Sequence, residues 1–178
     1  MKNLLLFAGS NNSKSINHSL ITAVAGLISD GSHKVISLLD YPLPLYAMEL
    51  QVQGIPAEAT ALKEIIDAHD ALVISVAEHN GSVSAFFKNT VDWLSRAGSD
   101  YRIFNNKQVV LLSASPGGGG VNAMNHAESV LTRLGATITQ KIPVNNFYKR
   151  TSFTDHHLAF NDPALRDEIL EAVTRIAN

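Results

Sequence analysis

The chain contains no cysteine, which removes disulfides, thiolate nucleophiles and cysteine-held metals from its chemistry. It also lacks an excess of either charge: 14 Lys and Arg stand against 16 Asp and Glu, a formal net charge of −2. Nucleic-acid binding calls for a basic footprint, and this composition offers none. No apolar run reaches the roughly 18–20 residues that span a bilayer. Met1 leads straight into an apolar strand pattern, which leaves no room for a signal peptide, so a cytoplasmic location is the expectation. What is present is a globular balance, 46% hydrophobic and 17% charged. The 178 residues suit one domain spanning 1–178. Seven histidines will carry the net charge upward in mild acid.

Strand and helix patterns alternate along the chain. Lys2–Ala8 reads as an interior strand, and the apolar spacing of Ile16, Leu20, Ile21, Val24 and Leu27 predicts a helix after it. Gly31 punctuates the turn before a second strand, Lys34–Leu38. Tyr41–Tyr46 carries two prolines and is no regular helix. A helix over Ala57–Ala68, a strand over Ala71–Ser75 and a helix over Val83–Arg96 follow. Gln108–Ser113 is the fourth strand, Val121–Leu134 a helix stopped by Gly135, and Thr137–Val144 contains the fifth strand. Asp162-Pro163 starts the last helix, an aspartate cap followed by proline at the first helical position. The βαβ rhythm implies a five-stranded parallel sheet covered by helices on both faces. Strand order 2-1-3-4-5 is chosen because the loop after the first strand looks like a ligand site.

That loop, Gly9-Ser10-Asn11-Asn12-Ser13-Lys14-Ser15-Ile16-Asn17, leads into a helix N-terminus at the carboxyl end of a buried strand, where ligands and anions bind. It supplies hydroxyls and amides, but no Walker lysine and no Gly-x-Gly-x-x-Gly spacing, so it suits a flavin mononucleotide better than a nucleoside triphosphate. In this strand order two more loops converge on it. Val76–Ser82 contains the sharp Asn80-Gly81 turn. Ala114–Gly120 contains Ser115-Pro116-Gly117-Gly118-Gly119-Gly120, whose missing Cβ atoms let backbone approach a flat ring.

Three motifs in order carry a family resemblance: Gly9-Ser10-x-x-x-x-Ser15-x-Asn17; Glu78-x-Asn80-Gly81-Ser82 with Lys88-Asn89-x-x-Asp92-Trp93-Leu94-Ser95; and Ser113-x-Ser115-Pro116-Gly117-Gly118. With Leu43-Pro44-Leu45-Tyr46, they resemble the NADPH-dependent FMN reductase family, which includes quinone, chromate and azo-dye reductases. The likeness runs from about Lys2 to Val144. It implies a flavodoxin-like three-layer α/β sandwich, noncovalent FMN, NADPH or NADH as electron donor, and a small-molecule electron acceptor. Also implied is a homodimer or homotetramer with flavin sites near the subunit interface. Carried over by position, Ser10, Asn12, Ser15 and Asn17, with Ile16 between the last two, would hold the phosphate. Ala77, Glu78, His79, Asn80 and Gly81 would line the ribityl chain and ring, with Ser115, Pro116, Gly117 and Gly118 on the ring's other side. The chain departs from the family at Asn12, where many members have arginine, and at Ala77, His79 and Ser84, in place of proline, tyrosine and proline. These departures bear on FMN affinity and acceptor preference.

Each feature also has a plainer reading. A Ser/Asn-rich loop is often only a helix cap, and a glycine run only a turn. Lys88, Asp92 and Trp93 lie at helical spacing and read as structural or interfacial. His156-His157 lack metal-ligand spacing and read as loop residues, and Phe86 and Phe87 as core or interface. Two functions follow. One is an FMN-dependent NAD(P)H oxidoreductase working by ping-pong hydride transfer to a quinone, free flavin or other oxidised acceptor; the cofactor supplies the chemistry, so no side-chain nucleophile is needed. The other is a flavodoxin-like electron carrier without turnover of its own. Carriers shield their ring with aromatics, whereas glycines here leave space for a second substrate, which favours the enzyme.

Overall fold

The computed structural model describes residues 2–28, 32–154 and 157–178. The first half of the chain runs β1 (Leu4–Gly9), α1 (Ile16–Ala25), β2 (His33–Val35), a 3₁₀ turn (Leu38–Asp40), α2 (Met48–Gln53), α3 (Ala57–Asp67) and β3 (Ala71–Val76). A short hairpin, β4 (Glu78–His79) and β5 (Ser82–Val83), precedes α4 (Ala85–Leu94), β6 (Gln108–Ala114), α5 (Val121–Arg133) and β7 (Thr137–Val144). Beyond these lie α6 (Phe147–Arg150), a second hairpin of β8 (Thr151–Thr154) and β9 (His157–Phe160), and α7 (Pro163–Ala177).

The main sheet is parallel in the order β2-β1-β3-β6-β7, which is 2-1-3-4-5 counted over its own strands. Every residue of β1 and β3 is buried, because helices cover both faces and both sets of alternating side chains face a core. On one face Leu5, Phe7, Leu72, Ile74, Val109 and Leu111 pack with apolar residues of α3, α4 and α5. On the other, Leu4, Leu6, Val73, Val110 and Leu112 pack with α1 and α7. The result is a three-layer flavodoxin-like sandwich whose strand ends β1, β3 and β6 open side by side.

Several sequence expectations change at element ends. The second strand stops at Val35 instead of Leu38, because Ser37 caps a 3₁₀ turn that begins at Leu38. The helix expected from Val83 starts at Ala85, since Val83 belongs to the first hairpin and Ser84 is the cap. Of the alternatives for Phe87 and Trp93, the core is the one found, at 2% and 0% exposure. The Gly31 turn and His156 lie outside the described residues. His157 opens β9 and is no loop residue.

Asp162 caps the last helix as expected: its carboxylate accepts from Leu165 N at 3.2 Å and from Arg150 Nε at 2.8 Å. The Arg150 guanidinium first, then the Leu165 amide, hold this carboxyl below its ordinary range. A depressed folded-state value makes the stabilisation complete above the ordinary carboxylate value and lost as pH falls through the lower one. Asp162→Asn keeps a cap and removes the charge, so it is expected to lower the melting temperature at neutral pH. Thermal melts should show the gap to wild type closing as pH falls below the ordinary carboxylate range; an equal gap at neutral and at acid pH would contradict the ion-pair account.

Candidate functional site

The first loop is arranged so that its acceptors are used internally and its donors are left over. Ser10 Oγ accepts from Asn12 N (3.3 Å), Asn12 Oδ1 from Lys14 N (2.9 Å), and Ser15 Oγ from Asn17 N (3.2 Å). The hydroxyl protons of Ser10 and Ser15 and the Asn12 amino group remain for a ligand. Among the described residues, the amides of Asn11, Ser13 and Ile16 find no acceptor. Ser15 is the N-cap of α1, so these donors gather where the helix dipole favours negative charge. His18 Nε2 donates to Ser10 O at 3.0 Å and fixes the loop's start.

Asn17 has a different set of contacts. It is 3% exposed. Its Oδ1 accepts from Ser75 Oγ (2.7 Å) and Ala114 N (2.9 Å), and its Nδ2 donates to Ala114 O (3.3 Å). One side-chain amide thus joins α1 to the ends of β3 and β6.

The second loop is the first hairpin. Asn80 and Gly81 have φ of 52° and 75°, the signature of a type I′ turn. Glu78 Oε2 accepts from Ala123 N at 3.1 Å; it serves as cap for α5, whose own cap position is Gly120, without a side chain. Ser82 Oγ lies 2.7 Å from His126 Nδ1. These two contacts fasten the hairpin along α5, and they leave His79, Asn80 and Gly81 exposed.

The third loop combines tight and open glycines. Gly120 is left-handed at φ 66°, and a Cβ there would sit 1.9 Å from Ser113 Oγ. Gly119 is crowded too, less severely, against Asn145 N and Pro143 Cβ at 2.9 Å. At Gly117 and Gly118 the reverse holds: neither has a positive φ, and a Cβ would meet nothing within 4 Å. Neither backbone strain nor packing requires glycine at these two positions, so their effect is to leave open space beside the loop. Gly119 N donates to Ser115 Oγ at 2.7 Å, and Asn146 N to Gly117 O at 2.9 Å, which holds the loop's curve.

The three loops are also tied to each other. Ser84 Oγ donates to Gly9 O (2.9 Å) and Ser113 Oγ to Val76 O (2.6 Å). Sequence reasoning gave Ser75 and His18 no role in the site, and noted Ser113 only within a motif and Ser84 only as a departure from the family. A signal existed for two of them: Ser75 and Ser113 are hydroxyls at the carboxyl ends of otherwise apolar strands.

The model of the family described as NADPH-dependent FMN reductase matches residues 1–148. An NAD(P)H-dependent FMN reductase of Pseudomonas aeruginosa is 32% identical over 133 residues, 74% of this chain and 70% of that one. A quinone reductase of Escherichia coli K12 is 36% identical over 101 residues, 56% of this chain. The match spans only 53% of that relative's length, and likewise 53% of an uncharacterized Mycoplasma pneumoniae protein at 34% identity. Among solved structures, FerB from Paracoccus denitrificans, a flavoenzyme NAD(P)H:(acceptor) oxidoreductase, aligns over 100% of both chains with a TM-score of 0.79 and 22% identity. At that identity the likeness bears on the fold.

The contrast between the glycines gives a direct test. Gly120→Ala places a Cβ against Ser113 in a left-handed backbone and is expected to cost at least about 1–2 kcal/mol, read from urea unfolding. Gly117→Ala is expected to leave stability unchanged or slightly higher, because it only restricts the unfolded chain. Equal losses at both positions would remove the distinction between tight and open glycines.

Proposed function

Because this chain belongs to the NADPH-dependent FMN reductase family, we propose that it is an FMN-dependent NAD(P)H oxidoreductase acting on a quinone, free flavin or similar oxidised acceptor. Two observations support the reading: open space at Gly117 and Gly118, in the loop after β6, and a loop of free donors at the head of α1. The donor set fits a phosphate monoester. Ser10, Asn12 and Ser15 would hold it with the Ile16 amide, all of them neutral donors, and with the α1 dipole in place of an arginine. Ala77, Glu78, His79, Asn80 and Gly81 would border the ribityl chain and ring, and Ser115, Pro116, Gly117 and Gly118 the ring's far side. When bound, FMN would supply the redox chemistry, acceptance of a hydride from NAD(P)H and passage of the reducing equivalents to the acceptor. The protein's share is positioning: the hairpin and the glycine loop hold backbone N–H groups around the ring, and the glycines leave a face open to a second substrate. That open face favours an enzyme over an electron carrier.

The reading includes one FMN domain, residence in the cytoplasm where reduced nicotinamides are held, and a homodimer or homotetramer. Support for assembly comes from the segment after β2. Leu45, Met48 and Val52 are 81%, 72% and 87% exposed, and α2 buries none of its residues. Apolar side chains grouped on one short helix and its approach are more stable when covered. The segment is held in place for this: Asn89 pairs with Tyr46 N (2.7 Å) and Pro44 O (3.0 Å), and Trp93 Nε1 donates to Pro44 O (2.7 Å).

Three measurements test the reading. Apoprotein titrated with FMN, FAD and riboflavin is expected to prefer FMN, and Asn12→Ala to weaken FMN by roughly tenfold while leaving riboflavin unaffected. Gly117→Val should retain FMN yet slow anaerobic bleaching of the flavin by NADPH in stopped flow; wild-type rates in that variant would count against substrate approach over this loop. Light scattering should find a dimer or larger, reduced to monomer by Leu45→Lys with Val52→Lys. A wild-type monomer that turns over NADPH would refute the assembly.

A further inference from the structure

Asn17 stands in the phosphate motif, yet its side chain is already engaged. An amide offers two acceptor sites and two donor hydrogens. Both acceptor sites of Asn17 are filled, by Ser75 Oγ and Ala114 N, and one donor goes to Ala114 O. With 3% exposure, little of the residue reaches solvent. Ser10 and Ser15 are as deeply placed, at 3% and 8% exposure, but each keeps its hydroxyl proton free and Asn12 its amino group, whereas Asn17 has three of its four hydrogen-bonding sites committed inside the protein.

The partner is as telling as the saturation. Ala114, 97 residues away in sequence, is the last residue of β6, and Ser115 next to it begins the glycine loop. Asn17 grips both the N–H and the C=O of Ala114, as a neighbouring strand would, and it does so across β3, whose Ser75 supplies the third bond. Its own backbone N–H donates to Ser15 Oγ inside the phosphate loop. We infer that Asn17 is a positioning residue, not a phosphate ligand: it holds the phosphate loop and the glycine loop in register, so that both ends of the flavin site are set by one buried amide. This rests on the FMN reading above. In a close-packed interior such a tie fixes one arrangement, because an unpaired Ala114 or Ser75 polar group would be left without water.

The two roles separate in a comparison of FMN with riboflavin, which lacks the phosphate. A phosphate ligand affects FMN alone, whereas a residue that sets the distance between the two loops affects both flavins. Asn17→Ala is expected to weaken FMN and riboflavin alike, each on the order of tenfold, with their ratio kept at the wild-type value. Ser75→Ala, a milder change in β3, should lower both by roughly threefold and keep the same ratio, so the inference remains testable if Asn17→Ala folds poorly. Amide exchange in the ligand-free protein supplies a second readout: both variants should lose protection at Ala114 and Gly119 while β1 stays protected. A loss of FMN affinity with riboflavin unchanged overturns the inference and makes Asn17 a ligand. Wild-type affinities and protection in both variants overturn it as well. Wild-type protein that binds neither flavin overturns the parent reading, a result plainly different from a changed ratio.

Discussion

Where β1, β3 and β6 end, the sheet no longer satisfies its own backbone, and three loops must leave a buried edge without orphaning polar groups. Buried N–H and C=O groups without partners cost about 1–3 kcal/mol each, so the exits need dedicated side chains. Ser84 takes the Gly9 carbonyl, Ser113 takes the Val76 carbonyl, and Asn17 takes both polar groups of Ala114. Ser84 and Asn17 reach from helix starts and Ser113 from the adjacent strand β6, each to a different strand end. The three loop exits are therefore fixed relative to one another by the protein alone, which is what preorganisation of the proposed flavin site requires.

On the proposed reading, that arrangement lets a loop without arginine serve a dianionic phosphate. Arginine would supply charge and a bidentate fork; Asn12 supplies neither. In its place, internal hydrogen bonds turn the loop's oxygen acceptors inward at Ser10, Asn12 and Ser15. The remaining donors gather at the positive end of α1. The glycine loop shows the same economy of side chains: Gly119 and Gly120 shape it, and Gly117 and Gly118 leave open space.

Outside the crevice, α4 clamps the Pro44–Tyr46 segment through Asn89 and Trp93, with the Tyr46 and Trp93 rings edge-on at 5.2 Å and Arg96 over Tyr46. The same helix covers the core with Phe87, Val91 and Leu94. A single helix thus connects the packed interior to the apolar residues displayed at Leu45, Met48 and Val52, which keeps an exposed segment in one conformation.

The sequence by itself determined the layer architecture and the three loops, because apolar runs, helix caps and glycine spacing are local signals. The Asn80-Gly81 turn and the Asp162-Pro163 helix start are local in the same sense. It also displayed Asn17 as a polar residue in a phosphate-like motif. Only the tertiary structure decided what Asn17 touches, since Ala114 and Ser75 are distant in sequence and meet it only once the parallel strands align. The same holds for Glu78 capping α5, for Val83 joining a hairpin in place of a helix, and for which glycines are crowded and which are open. Periodicity shows which face of an element is buried; the chain crossing that face is chosen by long-range packing, and that choice separates residues free to bind from residues that hold the site in place.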